Sequence, residues 1–151
     1  MAVARQTLSL KGRALRLLSG REYSRAELQQ RLKPFEEEAD ALAKVLDELQ
    51  AKDFINEQRV LESVIHRRAA KLGTLRIRQE LQAKGLSPDA VAQAVGRLRA
   101  SEAERAREVW LKKFGSPATD ATERAKHMRF LATRGFGGDA IRRVISGDFE
   151  D

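Results

Sequence analysis

At 151 residues, with 29 Lys and Arg against 22 Asp and Glu, the chain is a basic protein of net charge +7 and pI about 10.1. It has no cysteine, which excludes disulfides and thiolate metal sites and suits a reducing, cytoplasmic setting. No apolar run approaches the ~20 residues of a membrane helix, and the N-terminal stretch lacks the unbroken apolar core of an export signal, so a soluble protein away from any membrane is expected.

The charge is unevenly placed. Residues 1–35 carry eight basic and two acidic side chains, residues 36–58 two and eight, and residues 59–99 nine and three, while 100–151 nearly balance at ten and nine. Two basic blocks thus flank an acidic one, a pattern that suits a polyanionic or acidic partner better than plain solvation.

In chain order the sequence reads as helix throughout, over 7–19, 24–33, 37–52, 56–72, 74–84, 87–100, 102–114, 120–134 and 138–146. No stretch alternates with period two for long enough to suggest a strand. Start signals recur. Ser24-Arg25-Ala26-Glu27 and Ser101-Glu102-Ala103-Glu104 fit capping boxes, Asp120 to Glu123 is an Asp-started version, and Ser87-Pro88-Asp89 places proline at a first helical position. Glu36, Glu37 and Glu38 are expected to open the third helix, where negative charge suits the positive end of the dipole. Gly20, Gly73, Gly85, Gly115 and Gly135 follow periodic stretches as stop signals, and Pro34 ends the helix before it.

Nine helices divide by three, and the residues show the division. A shift of 49 lays Leu28, Leu32, Leu42, Leu46 and Leu49 on Ile77, Leu81, Val91, Val95 and Leu98. A shift of 50 lays Leu81, Gly85, Leu86, Val91 and Val95 on Leu131, Gly135, Phe136, Ile141 and Ile145. Apolar positions in register at a fixed period indicate a tandem array. The expected organisation is all-α, with three-helix repeats at 1–55, 56–100 and 101–151 forming an elongated, right-handed-type array in a monomer. Within each repeat a tight turn should join the second and third helices.

The same residues carry a resemblance. Arg21-Glu22-Tyr23-Ser24-Arg25-Ala26-Glu27-Leu28 resembles the first-repeat motif of the RecX family. Lys71-Leu72-Gly73 with Arg76-Ile77, Glu80-Leu81 and Lys84-Gly85 resembles the second, and Arg129-Phe130-Leu131 with Arg134-Gly135-Phe136 the third. The likeness runs from about Leu8 to Phe149 and departs from the family pattern at Val60-Leu61, His127 and Thr133. It implies three tandem three-helix repeats and a regulator of the RecA recombinase. Such a regulator lodges in the groove of the RecA–DNA filament, bridges protomers and depresses ATP hydrolysis and strand exchange, without a catalytic centre or cofactor of its own.

The residues themselves offer little chemistry. Gly135-Phe136-Gly137-Gly138 lacks the Lys and hydroxyl of a nucleotide-binding loop. His66 and His127 are the only imidazoles, without the spaced carboxylates of a metal site, and read as surface or partly buried histidines. Trp110 and Phe114, four apart, read as core. An aromatic fraction of 5% is low for a protein that grips single strands by base stacking.

What remains is a candidate basic surface. Ile77 takes the apolar register, so Arg76 and Lys84, together with Arg67, Arg68 and Lys71 from the preceding helix, are expected to line an outer face. Arg25 and Arg31 take comparable places in the first repeat, and Arg134, Arg142 and Arg143 in the third. Arginine's planar fork suits carboxylate or phosphate. Two readings follow: a modulator that binds the RecA filament, with single- or double-stranded DNA nearby, or a sequence-independent nucleic-acid-binding protein, since basic three-helix units also serve that purpose.

Overall fold

The computed structural model describes residues 8–148. Thr7 of the expected first helix, Phe149 at the end of the resemblance, and the outer ends of the first and third expected repeats lie outside them. Every regular element among the described residues is helical: α1 Leu10–Gly20, α2 Arg25–Leu32, α3 Ala41–Ala51, α4 Glu57–Arg68, α5 Thr74–Ala83, α6 Pro88–Ala100, α7 Glu102–Lys113, α8 Ala121–Thr133 and α9 Gly138–Ser146, with a 3₁₀ turn at Lys33–Phe35. None is long and apolar enough to cross a membrane.

The chain forms two compact units. One runs to Val60 and includes Lys84–Leu86; the other comprises Leu61–Ala83 and everything from Ser87 onward. The division falls inside α4.

In the first unit α1, α2 and α3 pack on a core of Ala14, Tyr23, Leu28, Leu32, Leu42, Leu46, Leu49 and Ile55. Leu28, Leu32, Leu42, Leu46 and Leu49 are the apolar positions of the repeat register, which explains why they share one face of their helices. The start of α2 is a complete capping box. Ser24 Oγ accepts from the Glu27 N–H at 3.1 Å, and Glu27 Oε1 accepts from the Ser24 N–H at 3.0 Å. The Ser24 hydroxyl also donates to the Lys84 carbonyl at 2.6 Å, so the cap holds the Lys84–Leu86 turn as well.

Glu27 is the electrostatic centre of this unit. Its Oε2 takes Arg21 at 2.8 Å and Lys84 at 3.2 Å. Burial would push this carboxyl up, but the hydrogen bonds from Arg21, the Ser24 amide and Lys84, with the Lys84 charge, outweigh it and hold the group at about 2 against an ordinary 4.5. The folded form therefore favours the ionised carboxylate. Its contribution to stability is complete above about pH 4.5 and disappears as pH falls through about 2. Glu27→Gln should accordingly flatten the acid limb of an unfolding profile between those values, read by Tyr23, the chain's one tyrosine. A limb as steep as the wild type's would place the acid sensitivity elsewhere.

The link between α2 and α3 departs from expectation. The third helix begins at Ala41, not 37, after Asp40 at φ 66°, and a 3₁₀ turn with a longer loop takes the place of a tight turn. Glu37 and Glu38 are exposed loop residues rather than a first helical turn. Glu36 alone works at the helix start, across the loop: its Oε2 accepts the Leu42 N–H at 2.9 Å while Oε1 takes Lys33 at 2.6 Å. The Lys33 hydrogen bond, then that of Leu42, hold its carboxyl below the usual range. Glu36→Gln should therefore lower the thermal midpoint of this unit, whereas Glu37→Gln and Glu38→Gln should leave it unchanged. Equal effects of the three in differential scanning calorimetry would refute that asymmetry.

In the second unit α5 packs on α6, and α7 packs on α6, α8 and α9. Ile77, Leu81, Val91, Leu98, Leu131, Phe136 and Ile141, all register positions, are buried; Val95 and Ile145 are half-buried. Here the tight turns are as expected, with four residues separating α5 from α6 and α8 from α9. Trp110 lies in the core with Val109, Leu131 and Val144. His127 is buried rather than at the surface: Phe114 stacks on it at 3.7 Å between centroids, and Trp110 Nε1 donates to its Nδ1 at 3.0 Å. The imidazole is received in the core by the indole donor and the aromatic face.

Candidate partner-binding surface

The expected basic residues fall in both units. Arg25, Arg31 and Lys84 lie in the first, and Arg67, Arg68, Lys71, Arg76, Arg134, Arg142 and Arg143 in the second.

In the first unit, Arg25 is half-buried and pairs with Asp47 at 2.7 Å and Gln50 at 2.9 Å, on the neighbouring α3. Arg31 is exposed, with its guanidinium 5.5 Å from the Tyr23 ring. Lys84 is placed differently from expectation. Its side chain is only 14% exposed and its ammonium rests on Glu27, so it is an internal tie and not part of an outer face. The reason is the turn that carries it. Gly85 at φ 72° bends the chain onto the start of α2, where a Cβ on Gly85 would come within 2.7 Å of Ala26.

The same interlock recurs about fifty residues later, within the second unit. Gly135, at φ 93°, packs on Arg76, and a Cβ there would lie 2.3 Å from Arg76 Cγ. The Gly73 N–H donates to the Arg134 carbonyl at 2.8 Å, and the Leu75 N–H to the Gly135 carbonyl at 3.1 Å. Arg76 is exposed, yet its guanidinium donates to the Thr133 carbonyl at 2.8 Å. It therefore helps close the turn that follows α8 and presents only its remaining donors outward.

On α4, Arg68 pairs with Glu80 at 3.0 Å and Arg67 lies 3.8 Å from the same carboxylate. Lys71 is exposed and has no ion-pair partner among the described residues. Arg134 lies 5.0 Å from the Phe130 ring, Arg142 pairs with Asp139, and Arg143 Nε donates to the Asp148 carbonyl at 3.4 Å. Exposed pairs of this kind cost little to break, about 0–1 kcal/mol, so Arg67, Arg134 and Arg142 stay available to a partner. Lys71, just past the end of α4, and Arg67 near its end are both exposed.

Two residues central to the second unit escaped the sequence reading. Arg105 donates to five acceptors: the carbonyls of Ala69 (3.0 Å), Leu72 (2.7 Å) and Leu98 (3.0 Å), Thr74 Oγ1 (3.3 Å) and Ser101 Oγ (3.0 Å). Burial lowers the pKa of its guanidinium, which nonetheless stays charged because arginine is not deprotonated in proteins. By taking Ala69 and Leu72 it ends α4 at Arg68, four residues short of the expected 72. Ser101 and Glu104 were expected to form a capping box. Instead Ser101 makes no side-chain cap, and Glu102 Oε1 accepts the N–H groups of Thr74 (3.1 Å) and Gly137 (3.2 Å), bridging the starts of α5 and α9. Nothing in the local sequence marks either role, since every partner but Ser101 and Leu98 is far along the chain.

The basic block 1–35 also holds Arg13 and Arg16, three apart on α1, which the sequence reading passed over. Arg13 lies 3.8 Å over the exposed Phe35 ring, and both arginines line a pocket of about 200 Å³ with Arg31. Among the described residues no three His, Asp or Glu side chains converge to hold a metal.

Comparison with known proteins gives this arrangement a context. The models of the first, second and third three-helix domains of RecX match residues 11–49, 56–95 and 100–145. The chain is 50% identical over 145 residues to the regulatory protein RecX of Leptothrix cholodnii, covering 96% of this chain and 92% of that one. It is 46% identical over 147 residues to the regulatory protein RecX of Ralstonia nicotianae, covering 97% and 92%. The crystal structure of RecX from Lactobacillus salivarius superposes with a TM-score of 0.77 at 20% identity, over 91% of this chain and 93% of that one, a likeness of fold.

Proposed function

Since the chain belongs to the RecX family and carries its three three-helix domains in order, we propose that it binds the RecA recombinase filament and slows DNA-dependent ATP hydrolysis and strand exchange. It is a regulatory protein and not an enzyme. In this reading the three repeats, at 1–55, 56–100 and 101–151, act together in the filament groove. They thereby modulate recombination, DNA repair and the SOS response.

The observation that supports this reading most is that the three domain matches arrive in order over residues 11–49, 56–95 and 100–145. The exposed cations are consistent with an acidic or polyanionic partner. Lys71 and Arg67 are the residues we assign first to contact, with Arg31, Arg134, Arg142 and Arg143 beside them. Arg68 and Arg76 hold internal bonds as well, so their replacement mixes folding with binding.

The test pairs an ATPase assay with a gel shift. The protein should slow RecA at concentrations where it binds naked DNA poorly. Lys71→Glu with Arg67→Glu should weaken inhibition by about tenfold or more, because each change removes an attraction and adds a repulsion. Circular dichroism checks that both variants remain helical. Inhibition that tracked DNA affinity, with a steep salt slope and no dependence on RecA, would assign the function to nucleic-acid binding instead. RecA activity untouched at any ratio would refute the proposal.

A further inference from the structure

In the first unit a cavity of about 200 Å³ opens where α1 meets the end of α2. Leu8, Leu17, Leu32 and Phe35 form its apolar lining. Leu8 and Phe35 are large apolar side chains left exposed, at 43% and 47%. Arg13, Arg16 and Arg31 line the same cavity. Arg13 and Arg16 are three apart on α1 and so stand on one side of it. The Arg13 guanidinium lies 3.8 Å over the Phe35 ring, and that of Arg31 lies 5.5 Å from the Tyr23 ring. None of the three has a carboxylate partner among the described residues, and residues 1–7 contain no Asp or Glu.

We propose that this cavity docks a short peptide segment of a partner protein in which one large apolar residue lies between two carboxylates. The apolar side chain enters between Leu17, Leu32 and Phe35, and the carboxylates pair with Arg16 and Arg31. The assignment rests on the reading of this chain as a binder of another protein and names the chemistry of one contact. Two features converge on it. Exposed apolar side chains gathered at one hollow mark a contact, where scattered ones need no explanation. Three guanidinium groups gathered at the same hollow repel one another until an anion arrives, and a carboxylate accepts parallel hydrogen bonds from arginine's planar fork. A hollow of this size seats a single side chain, in the manner of interface pockets that hold one anchor inside a polar rim.

A nucleic-acid strand fits less well. A stacked base needs an open aromatic face, but the Phe35 ring already carries Arg13 over one face. A neighbouring hollow of about 330 Å³ shares Leu8 and Phe35 with this cavity and is lined by Glu37 and Glu38. A strand running on past the ring would bring its phosphates against those carboxylates, whereas a peptide with only two charges need not reach them.

The probe is the blocked pentapeptide Ser-Asp-Phe-Glu-Ser, titrated into the whole protein without RecA and followed by amide NMR shifts, which locate contact residue by residue. Its neutral analogue Ser-Asn-Phe-Gln-Ser, its anchorless analogue Ser-Asp-Gly-Glu-Ser, and an oligothymidylate serve as comparisons, with calorimetry as second readout. Saturable shifts are expected at Leu17, Arg31, Leu32 and Phe35. Affinity should be at least about tenfold weaker for either analogue and should fall as salt rises. Arg16→Glu and Phe35→Ala, both at exposed positions, should each weaken binding to a similar degree. Lys44→Glu, the same charge change on α3 of the same unit and outside the cavity lining, should not. Arg16→Gln serves if the Glu variant fails to fold.

Equal affinity for the three peptides, shifts that saturate elsewhere on the chain, or unchanged binding by Arg16→Glu would overturn the proposal. Tighter binding of the oligothymidylate at the same residues would overturn it in favour of nucleic acid. Failure of the peptide to bind while the protein still inhibits RecA would refute this site and leave the proposed function standing.

Discussion

Arg105→Ala is expected to destabilise the second unit by about 3–4 kcal/mol, the largest effect of any single charged residue in the chain. Each hydrogen bond from a charged donor contributes about 1.5–3 kcal/mol net, and the values do not simply add when one side chain makes all of them. Truncation removes five bonds at once and strands the carbonyls of Ala69 and Leu72 in a half-buried setting, while Leu98 keeps its bonds from Ser101. Water entering the space left behind recovers part of the loss, which keeps the expected figure within the upper tail of measured substitutions, about 3–5 kcal/mol.

Arg105→Lys should recover less than half. An ammonium is a point donor, whereas the five acceptors surround a planar fork. Trp110 lies in the same unit, so its fluorescence in urea reads the transition. The midpoint should fall steeply in the alanine variant with little change in slope. An unchanged midpoint would show that α4 and α6 hold their ends without this guanidinium.

The second large effect is expected at Gly73. A Cβ placed there would lie 2.3 Å from the Gly135 carbonyl carbon and the Phe136 nitrogen, and 2.4 Å from the Gly135 oxygen. All three are backbone atoms, so no side chain can swing aside. The clash can be relieved only by parting the two turns, which breaks the bonds from the Gly73 and Leu75 amides. Gly73→Ala should therefore cost at least about 3 kcal/mol, more than ordinary overpacking of a core. Gly96 is the contrast. It lies mid-helix on α6, exposed, with nothing within 4 Å of its missing Cβ. Gly96→Ala should stabilise by about 0.5–1 kcal/mol through helix propensity alone. Similar effects at the two glycines in parallel urea titrations would contradict the packing argument.

These two sites mark the line between what could be read in advance and what could not. The apolar register was legible because burial of one helical face is a local, periodic property. Leu28, Ile77, Leu81 and Leu131 are all fully buried where the shift of about fifty residues places them. Helix starts at Ser24, Ser87 and Asp120 were legible for the same reason: each cap bonds an amide three residues away. Family membership was legible from motifs that sit on these same positions.

The charged residues were a different matter. A charged side chain reaches its partner through space, and its sequence neighbours carry little information about that partner. Lys84 and Arg76 occur in one eleven-residue stretch of apparently outward cations, yet Lys84 is drawn onto Glu27 and Arg76 onto the Thr133 carbonyl. Glu102 bridges the amides of two distant helix starts, where the sequence marks only a Ser101–Glu104 cap, and Glu36 reached past an expected helical turn to the Leu42 amide. Helix content, repeat period and core were determined by the sequence alone, because they depend on neighbours three or four residues away. Which cations face outward was decided by the tertiary structure, because long-range packing alone sets which carboxylates and carbonyls come within about 3 Å of each of them.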